Sequence, residues 1–228
     1  MTKVSTITPC YNMSKYLQGF LQNLSKQTHN DIEVVIDHNN PSDEEVTMIE
    51  EYNEIYDNIF HIQVEGVDPI GISMNRCIEN ASGEYLCIWN IDDLRTPDSV
   101  EMMAKALDDN TDVDFVYGDF TIVPRFRSTE GEYVDNAGRE DLLKVGMILG
   151  PFFMFRKSIL KMTKVFDEQL VSGADYDLAL RLAHNGKGMH IPHNSGYYLN
   201  EGLGASTRPD SKQPVERTVI EMRYGLDV

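Results

Sequence analysis

The stretch Tyr85-Leu86-Cys87-Ile88-Trp89-Asn90-Ile91-Asp92-Asp93 decides the fold, because it changes from wholly apolar to acidic within a few residues. Its first five residues are too few for a helix core and are typical of a strand covered on both faces, as in a parallel sheet. Asp92 and Asp93 follow where this strand emerges. Adjacent carboxylates repel each other, and a divalent cation is a usual means of stabilising them. The strand end is therefore a candidate metal site.

The same acids also fit a solvated turn before a helix. Thr96-Pro97-Asp98 is typical of an N-cap, a first helical residue and an acidic first turn, and Asp93 is an alternative cap. These residues alone leave both interpretations open, and the two are compatible.

Strands and helices alternate on both sides of this stretch. Val4 to Thr8 is a β-branched strand that Pro9 should end, because proline cannot donate to a β-ladder. Elsewhere, apolar residues at helical spacing predict helices, and short apolar runs predict strands. The predicted strands are 32–36, 60–64, 85–89, 115–117 and 150–155; the predicted helices cover about 14–27, 46–56, 71–81, 100–107, 159–162 and 175–182, and 121–134 is a hairpin or loop.

This alternation predicts an α/β fold with a doubly wound, mostly parallel central sheet flanked by helices. The segment from Pro192 onward is polar, and no element is predicted there. Neither an internal repeat nor a low-complexity linker divides the sequence. We therefore expect a single domain over residues 1–228.

Composition limits the partners. The net charge of -17 argues against a nucleic acid or an anionic membrane surface as the main partner. Three cysteines without a CxxC motif make a disulfide framework or a zinc site unexpected and favour a reducing compartment. No signal-peptide apolar region opens the sequence, and no apolar run is long enough to span a membrane. We expect a soluble, cytoplasmic protein.

Polar groups follow three of the predicted strands. They are Thr8-Pro9, Asp37 and Asp92-Asp93, and ligands of open α/β sheets bind outside the carboxyl ends of the strands. Neither GxGxxG nor GxxxxGK[ST] follows the first strand, which disfavours a dinucleotide site and a P-loop. A metal would have to hold phosphates in place of a glycine-rich loop.

Several motifs follow one another in a specific order over nearly the whole chain. They are Thr8-Pro9-Cys10-Tyr11-Asn12, Glu33-Val34-Val35-Ile36-Asp37, Gly71-Ile72-Ser73-Met74-Asn75-Arg76, Ala81-Ser82-Gly83-Glu84-Tyr85, Asn90-Ile91-Asp92-Asp93 and Gly173-Ala174-Asp175-Tyr176-Asp177-Leu178. In these motifs the chain resembles the inverting, nucleotide-sugar-dependent glycosyltransferases of the GT-A fold, the large "family 2" type of bacterial and viral enzymes.

The resemblance implies a nucleotide-binding half over about 1–120 and an acceptor-binding half, with a small antiparallel portion, over about 121–228. It implies transfer of a sugar from a nucleotide diphosphate donor, with a UDP-sugar favoured, to a carbohydrate, glycoconjugate or other hydroxyl acceptor by single displacement. The implied cofactor is Mn²⁺ or Mg²⁺. Specificity should lie in loops such as Pro124 to Gly138 and Gly202 to Thr207.

The resemblance also assigns roles to individual residues. Asp175 is the implied general base, and a helix N-terminus should keep it ionised without a raised pKa. Asp177 is expected to pair with Arg181 four residues later. The implied metal ligands are Asp92 and Asp93, with His193 as a further candidate whose simpler interpretation is a surface histidine. The implied nucleotide-sugar contacts are Thr8, Pro9, Tyr11, Asp37, Arg76, Asn90 and Asp92.

Two residues depart from the family pattern. Asn90 replaces the first aspartate of the metal motif, and Ala174 replaces the glutamate before the base. Asn200 and Glu201 stand where some relatives have a histidine near the metal. The departures at Asn90 and Ala174 favour an alternative, a nucleotide-sugar-binding protein that has lost turnover. A metal-dependent nucleotidyltransferase is a third possibility, disfavoured by the absence of a Gly-rich, Lys/Arg-bearing loop after the first strand.

Overall fold

A computed structural model describes residues 1–137, 149–202 and 210–226. Within these ranges nine strands join in one sheet, accompanied by seven α-helices. The strands are β1 Val4–Cys10, β2 Ile32–Asn39, β3 Ile59–Val64, β4 Tyr85–Ile88, β5 Leu94–Arg95, β6 Phe115–Val123, β7 Glu132–Val134, β8 Phe153–Arg156 and β9 Gly188–Leu199. The helices are α1 Ser14–Leu24, α2 Asp43–Tyr56, α3 Ile70–Asn80, α4 Ser99–Asp109, α5 Leu160–Thr163, α6 Ala174–Asn185 and α7 Gln213–Arg223.

The sheet is mostly parallel, as predicted. Its strand order is β3-β2-β1-β4-β8-β6-β9-β5, and β7 pairs with β6. β8 runs antiparallel to both β4 and β6, whereas β9 is parallel to β6. Since β8 reverses the direction twice, β1, β2, β4, β6 and β9 all end at the same edge of the sheet. The acids after β4 lie at this edge.

Strand β4 lies at the centre of the core. All four of its residues are buried, and it pairs with β1 on one side and β8 on the other. Helices α1, α2 and α4 pack against one face of the sheet, while α3, α6 and α7 contribute to the core on the opposite face. The prediction of a doubly covered strand is confirmed.

The prediction that Pro9 ends the first strand is wrong, because β1 continues to Cys10. Pairing with β4 stops at Ile7 and Ile88, whereas pairing with β2 continues through Pro9 and Asp37. A proline is tolerated there because one side of the strand has already lost its partner. The second strand likewise extends past Asp37 to Asn39.

The interpretation of Thr96 as the N-cap is wrong by two residues, because the N-cap is Asp98. Leu94 and Arg95 pair with β9, and α4 begins only at Ser99. The largest difference is β9 itself, a strand of 12 residues in a segment where the sequence predicted none after Pro192. The expected hairpin over 121–134 is confirmed by the antiparallel pairing of β6 with β7.

Candidate active site

Asp93 fixes the turn that follows β4. It is 2% exposed, its Oδ2 accepts a hydrogen bond from Asn90 Nδ2 at 3.1 Å, and its Oδ1 accepts one from the Leu199 N–H at 3.0 Å. Trp89 Nε1 donates to the Asp93 carbonyl at 3.1 Å. Both carboxylate oxygens are therefore engaged, and they tie the end of β4 to the last residue of β9. The proposed role of Asp93 as a direct metal ligand competes with these two hydrogen bonds.

The amide at Asn90 has a structural purpose in this turn. An aspartate, which the family pattern has at this position, could not donate to Asp93 and would add a third negative charge beside Asp92. Asn90 donates instead. The departure at this position therefore stabilises the turn.

Asp92 is the carboxylate that remains available. It is half-buried, and within the described ranges the only hydrogen bond that its carboxylate accepts is from its own backbone N–H. Burial raises the pKa of Asp92, and burial together with the charge of Asp92 raises the pKa of Asp93 well above its ordinary value. A pair that resists full ionisation is stabilised by a cation, and carboxylate oxygens suit Mg²⁺ or Mn²⁺.

Asp37 and Pro9 lie side by side, because the register pairs them across β1 and β2. Asp37 is fully buried and accepts hydrogen bonds from Asn39 Nδ2 at 2.7 Å and from Ser73 Oγ at 2.5 Å. Its second oxygen accepts from Arg76 Nη1 at 2.7 Å. A base that approaches Asp37 would have to share it with these groups.

Arg76 bridges two acids, Asp37 and Asp68. Its other terminal nitrogen donates to Asp68 Oδ2 at 2.6 Å, and the hydrogen bonds that it donates to Asp68 and Asp37 raise the pKa of the guanidinium despite partial desolvation. The Arg76 side chain is 27% exposed, whereas the Asp37 side chain that it contacts is fully buried. A diphosphate that binds Arg76, as predicted, would therefore meet a guanidinium that already contacts two carboxylates.

The remaining predicted nucleotide contacts separate by face. Thr8 is buried, its hydroxyl lies 2.9 Å from that of Thr6, and strand alternation directs it away from the face of Pro9. Tyr11, 49% exposed just beyond β1, is free to stack on a base. For Thr8, therefore, only the backbone and not the side chain fits the predicted contact with the nucleotide-sugar.

His193 is not brought to the acidic turn. Its Nε2 lies 3.0 Å from Asp98 Oδ1, and the six residue steps from His193 to Leu199 span about 20 Å of extended strand. In the ranges that the structure covers, the clusters of three metal-ligating side chains are Cys10-His38-Glu45 and Asp119-Asp135-His190. The suggestion of His193 as a metal ligand is therefore unsupported, because β9 places it beside α4.

Glu201 lies near the start of α1. Lys15 Nζ donates to Glu201 Oε1 at 2.8 Å, and the Tyr16 hydroxyl donates to the same oxygen. Because Glu201 follows Leu199 by two residues, this contact places a lysine close to the turn that holds Asp92. The predicted loop 202–207 lies outside the described residues except for Gly202, as does Gly138 of the other loop.

Asp175 lies in the first turn of α6, as predicted. Its Oδ1 accepts from the Tyr176 N–H at 2.8 Å. The expectation of an unperturbed pKa is wrong: desolvation raises the pKa of Asp175, and the hydrogen bonds from the backbone of Tyr176 and Asp175 itself only partly oppose it. A base with a raised pKa holds an abstracted proton more strongly.

Asp177 and Arg181 form the predicted ion pair. Arg181 Nε and Nη2 lie 2.9 and 2.7 Å from Asp177 Oδ2, and Asp177 is 3% exposed. Arg181 also donates to the carbonyls of Thr163 and Val165, at 2.5 and 2.7 Å. Asp177 therefore anchors α6, while Asp175 is the acid left for chemistry.

A residue missed by the sequence reasoning supports this helix. Glu216, in α7, accepts hydrogen bonds from three consecutive backbone N–H groups directly before α6, those of Val171, Ser172 and Gly173, at 2.8, 2.8 and 2.9 Å. No local pattern could indicate this contact, because it joins segments more than 40 residues apart.

Comparison with known proteins agrees with this geometry. The glycosyl transferase family 2 model matches residues 5–163. An uncharacterized glycosyltransferase of Methanocaldococcus jannaschii is 27% identical over 191 residues, which are 80% of this chain and 65% of that protein. Chondroitin synthase of Escherichia coli is 27% identical over 194 residues, which are 82% of this chain but only 27% of the synthase. The chain thus spans less than two thirds of either relative.

Two solved structures have a similar fold. TarS of S. aureus, residues 1–349 in complex with UDP-GlcNAc, superposes with a TM-score of 0.77 at 20% identity, covering 96% of this chain and 64% of that one. The mannosyltransferase PcManGT from Pyrobaculum calidifontis, in complex with GDP-Man and Mn²⁺, gives a TM-score of 0.71 at 16% identity, covering 98% and 64%.

The sheet and the acidic strand end define a glycosyltransferase domain of the GT-A fold. Since the family model covers well over half of its residues, the chain belongs to glycosyl transferase family 2. Within the described part of the chain, every helix is too short or too polar to cross a membrane.

Proposed function

We propose that this chain transfers a sugar from a nucleotide diphosphate donor, a UDP-sugar, to a hydroxyl group of a glycan or glycoconjugate, with inversion at the anomeric carbon. The observation that carries the proposal is the unequal use of the two acids after β4. Asp93 is held by Asn90 and Leu199, while Asp92 keeps its carboxylate free of other side chains within the described ranges.

The donor side uses Asp92 as the ligand of a divalent ion. Such an ion, when bound, neutralises charge on the departing diphosphate. The residues present fit this role, because burial and mutual repulsion make the two acids costly to ionise without a counter-charge. Further positive charge comes from Lys15, at the start of α1, and from Arg76, which contacts Asp37 in β2.

The acceptor side uses Asp175 as the general base. In a single displacement the acceptor hydroxyl attacks the anomeric carbon from the face opposite the leaving diphosphate, and a carboxylate takes its proton. Asp175 fits because it begins α6 after two small residues and because Asp177, the other acid of that turn, is engaged by Arg181.

Calorimetric titration with UDP tests the donor site. We expect UDP to bind at least tenfold more tightly with Mn²⁺ than with EDTA, and Asp92→Asn to abolish this difference. Equal UDP affinity with and without metal would contradict the assignment of Asp92. Titration with GDP alongside UDP tests the choice of base separately.

The second candidate is a binding protein that has lost turnover, which Ala174 favours because the motif glutamate is missing before the base. Slow hydrolysis of a UDP-sugar in the presence of Mn²⁺ distinguishes the two, since this reaction needs a working donor site but no acceptor. Metal-dependent UDP binding without any hydrolysis would support the binding protein.

A further inference from the structure

A second cluster of metal-ligating side chains lies apart from Asp92, on the opposite face of β1 and β2 from Asp37. Ligand atoms of Cys10, His38 and Glu45 all lie within 4.8 Å of one another, and all three residues are buried. Cys10 and His38 are direct partners across β1 and β2, and Glu45 lies in the first turn of α2. Three separate elements therefore converge on one point.

His38 supplies an independent sign of a ligand. Its side chain is fully buried, and its Nε2 has no hydrogen-bond partner, although Glu45 Oε2 lies 3.4 Å away. Its Nδ1 lies 3.1 Å from His61 Nε2. If Nδ1 carries the proton and donates it to His61, the Nε2 lone pair faces a carboxylate. A cation between the two would remove this repulsion.

The 3.1 Å contact with His61 accommodates the tautomer that a metal requires, in which His38 Nδ1 carries the proton and Nε2 is free to coordinate. Metal-bound histidines commonly donate their second N–H to a neighbouring acceptor, which fixes the ring. Glu45 is oriented in the same way: its Oε1 accepts from the Met13 N–H at 2.8 Å, and its Oε2 accepts from the N–H and hydroxyl of Ser42 at 3.1 and 2.9 Å. Oε1 accepts one hydrogen bond and keeps a second lone pair for a cation, whereas Oε2 would give up one of its two contacts with Ser42.

We propose that Cys10, His38 and Glu45 form a binding site for a zinc-type divalent cation, with His61 as the residue that orients His38. Sulfur, imidazole nitrogen and carboxylate oxygen together suit a borderline-soft ion such as Zn²⁺. A thiolate, a carboxylate and a neutral imidazole also balance a charge of +2, so the occupied site would be neutral inside the protein.

Without a cation, the thiol stays protonated. Burial, reinforced by the negative charges of Glu45 and Asp37, raises the pKa of Cys10 well above its ordinary value. Binding of the ion releases the thiol proton to solvent and forms the metal–sulfur bond. The missing CxxC motif argued against zinc, but that motif detects only ligands that are close in sequence. Cys10 is buried, but the next two residues of the chain, Tyr11 and Asn12, are exposed, so the site lies close to the surface from which an ion would enter.

Titration with Co²⁺ in place of zinc tests this site. A cobalt–thiolate bond gives a charge-transfer absorption in the near ultraviolet, whereas a site built from oxygen ligands, such as that at Asp92, does not. We expect wild-type protein, stripped with EDTA and dialysed, to develop this absorption up to one equivalent of Co²⁺, and Zn²⁺ to displace it. His61→Gln should weaken the binding about 10–100-fold.

Matched variants identify the sulfur. Asp92→Asn and Cys87→Ala, which changes another buried cysteine, should keep the absorption, and Cys10→Ser should lose it. If Cys10→Ser does not fold, the wild-type Co²⁺ titration remains as a test. A second test is the Tm of Asp92→Asn, which should be higher with Zn²⁺ than with EDTA. Absence of the absorption in wild-type protein, or its persistence in folded Cys10→Ser, would overturn the proposal.

Discussion

The Glu216 carboxylate accepts a hydrogen bond from the N–H of Gly173, the residue that precedes α6, at 2.9 Å. It also binds the two preceding N–H groups, so that one side chain from α7 holds the whole approach to the helix. Ala174 offers no polar group to this turn. Glu216 therefore supplies from a distant helix the support that Asp175 does not receive from its neighbour in sequence.

Replacement of Glu216 tests this support. Glu216→Ala leaves three N–H groups without their acceptor and should lower the free energy of unfolding by about 1–3 kcal/mol, measured by chemical denaturation. It should also reduce the rate of sugar transfer while UDP affinity stays close to wild type, because the donor site is elsewhere. Glu216→Gln keeps an acceptor oxygen, so its stability and its transfer rate should lie between those of the wild type and of Glu216→Ala. Glu50→Ala, at an exposed position of α2, is the control.

Asp175→Asn tests the base. The amide keeps the shape of the side chain but cannot take a proton, so transfer should fall by about 10²–10⁴-fold with UDP affinity unchanged. Asp177→Asn is the matched control in the same helical turn. Because it weakens the pair with Arg181, it should cost about 1–3 kcal/mol of stability and little transfer at a temperature where it is folded. If the two variants exchange these effects, Asp177 is the base.

The raised pKa of Asp175 predicts a particular pH dependence. Only the ionised carboxylate can act as a base, so the transfer rate should be at its maximum above the pKa of Asp175 and should fall as the pH drops through that pKa. Because burial raises this pKa, the acid limb of the kcat profile should lie above about 3.9, the ordinary value for aspartate. A profile that stays flat down to that pH would show that the group that titrates is not a desolvated aspartate.

The two acids after β4 should respond differently to replacement by alanine. Asp93→Ala removes the acceptor for the Leu199 N–H and for Asn90, and should lower the free energy of unfolding by about 1–3 kcal/mol. Asp92→Ala relieves repulsion and should change stability little, but it should remove the effect of Mn²⁺ on UDP binding. Thermal unfolding and calorimetry distinguish the two outcomes, and loss of the Mn²⁺ effect in Asp93→Ala alone would reverse the assignment.

The architecture could largely be predicted from the sequence because apolar periodicity carries it. The run at Tyr85 to Trp89 and the stripe of α1 both bury their apolar residues as expected. The strand β9 was missed because His190, Pro192, His193 and Asn194 give no alternating pattern. It forms because β6 on one side and β5 on the other provide hydrogen-bond partners for its backbone. Such pairing is not visible in the amino-acid sequence of the segment.

The same limit applies to the site. The motif at Asp92 and Asp93 could be found in the sequence, but their different roles could not, because the N–H that engages Asp93 belongs to a residue 106 positions later. The raised pKa of Asp175 was missed for a similar reason. Helix position favours the carboxylate, and burial by distant segments outweighs it.

The hydrogen bond from Leu199 to Asp93 also has a consequence for the order of folding. A ribosome must synthesise the chain as far as Leu199 before the turn after β4 can acquire this partner. A fragment that ends near residue 120 would contain every predicted nucleotide contact and still leave a buried carboxylate without its backbone donor. Closure of such a distant contact is slow and comes late. We expect nascent chains to become able to bind nucleotide only once β9 has docked.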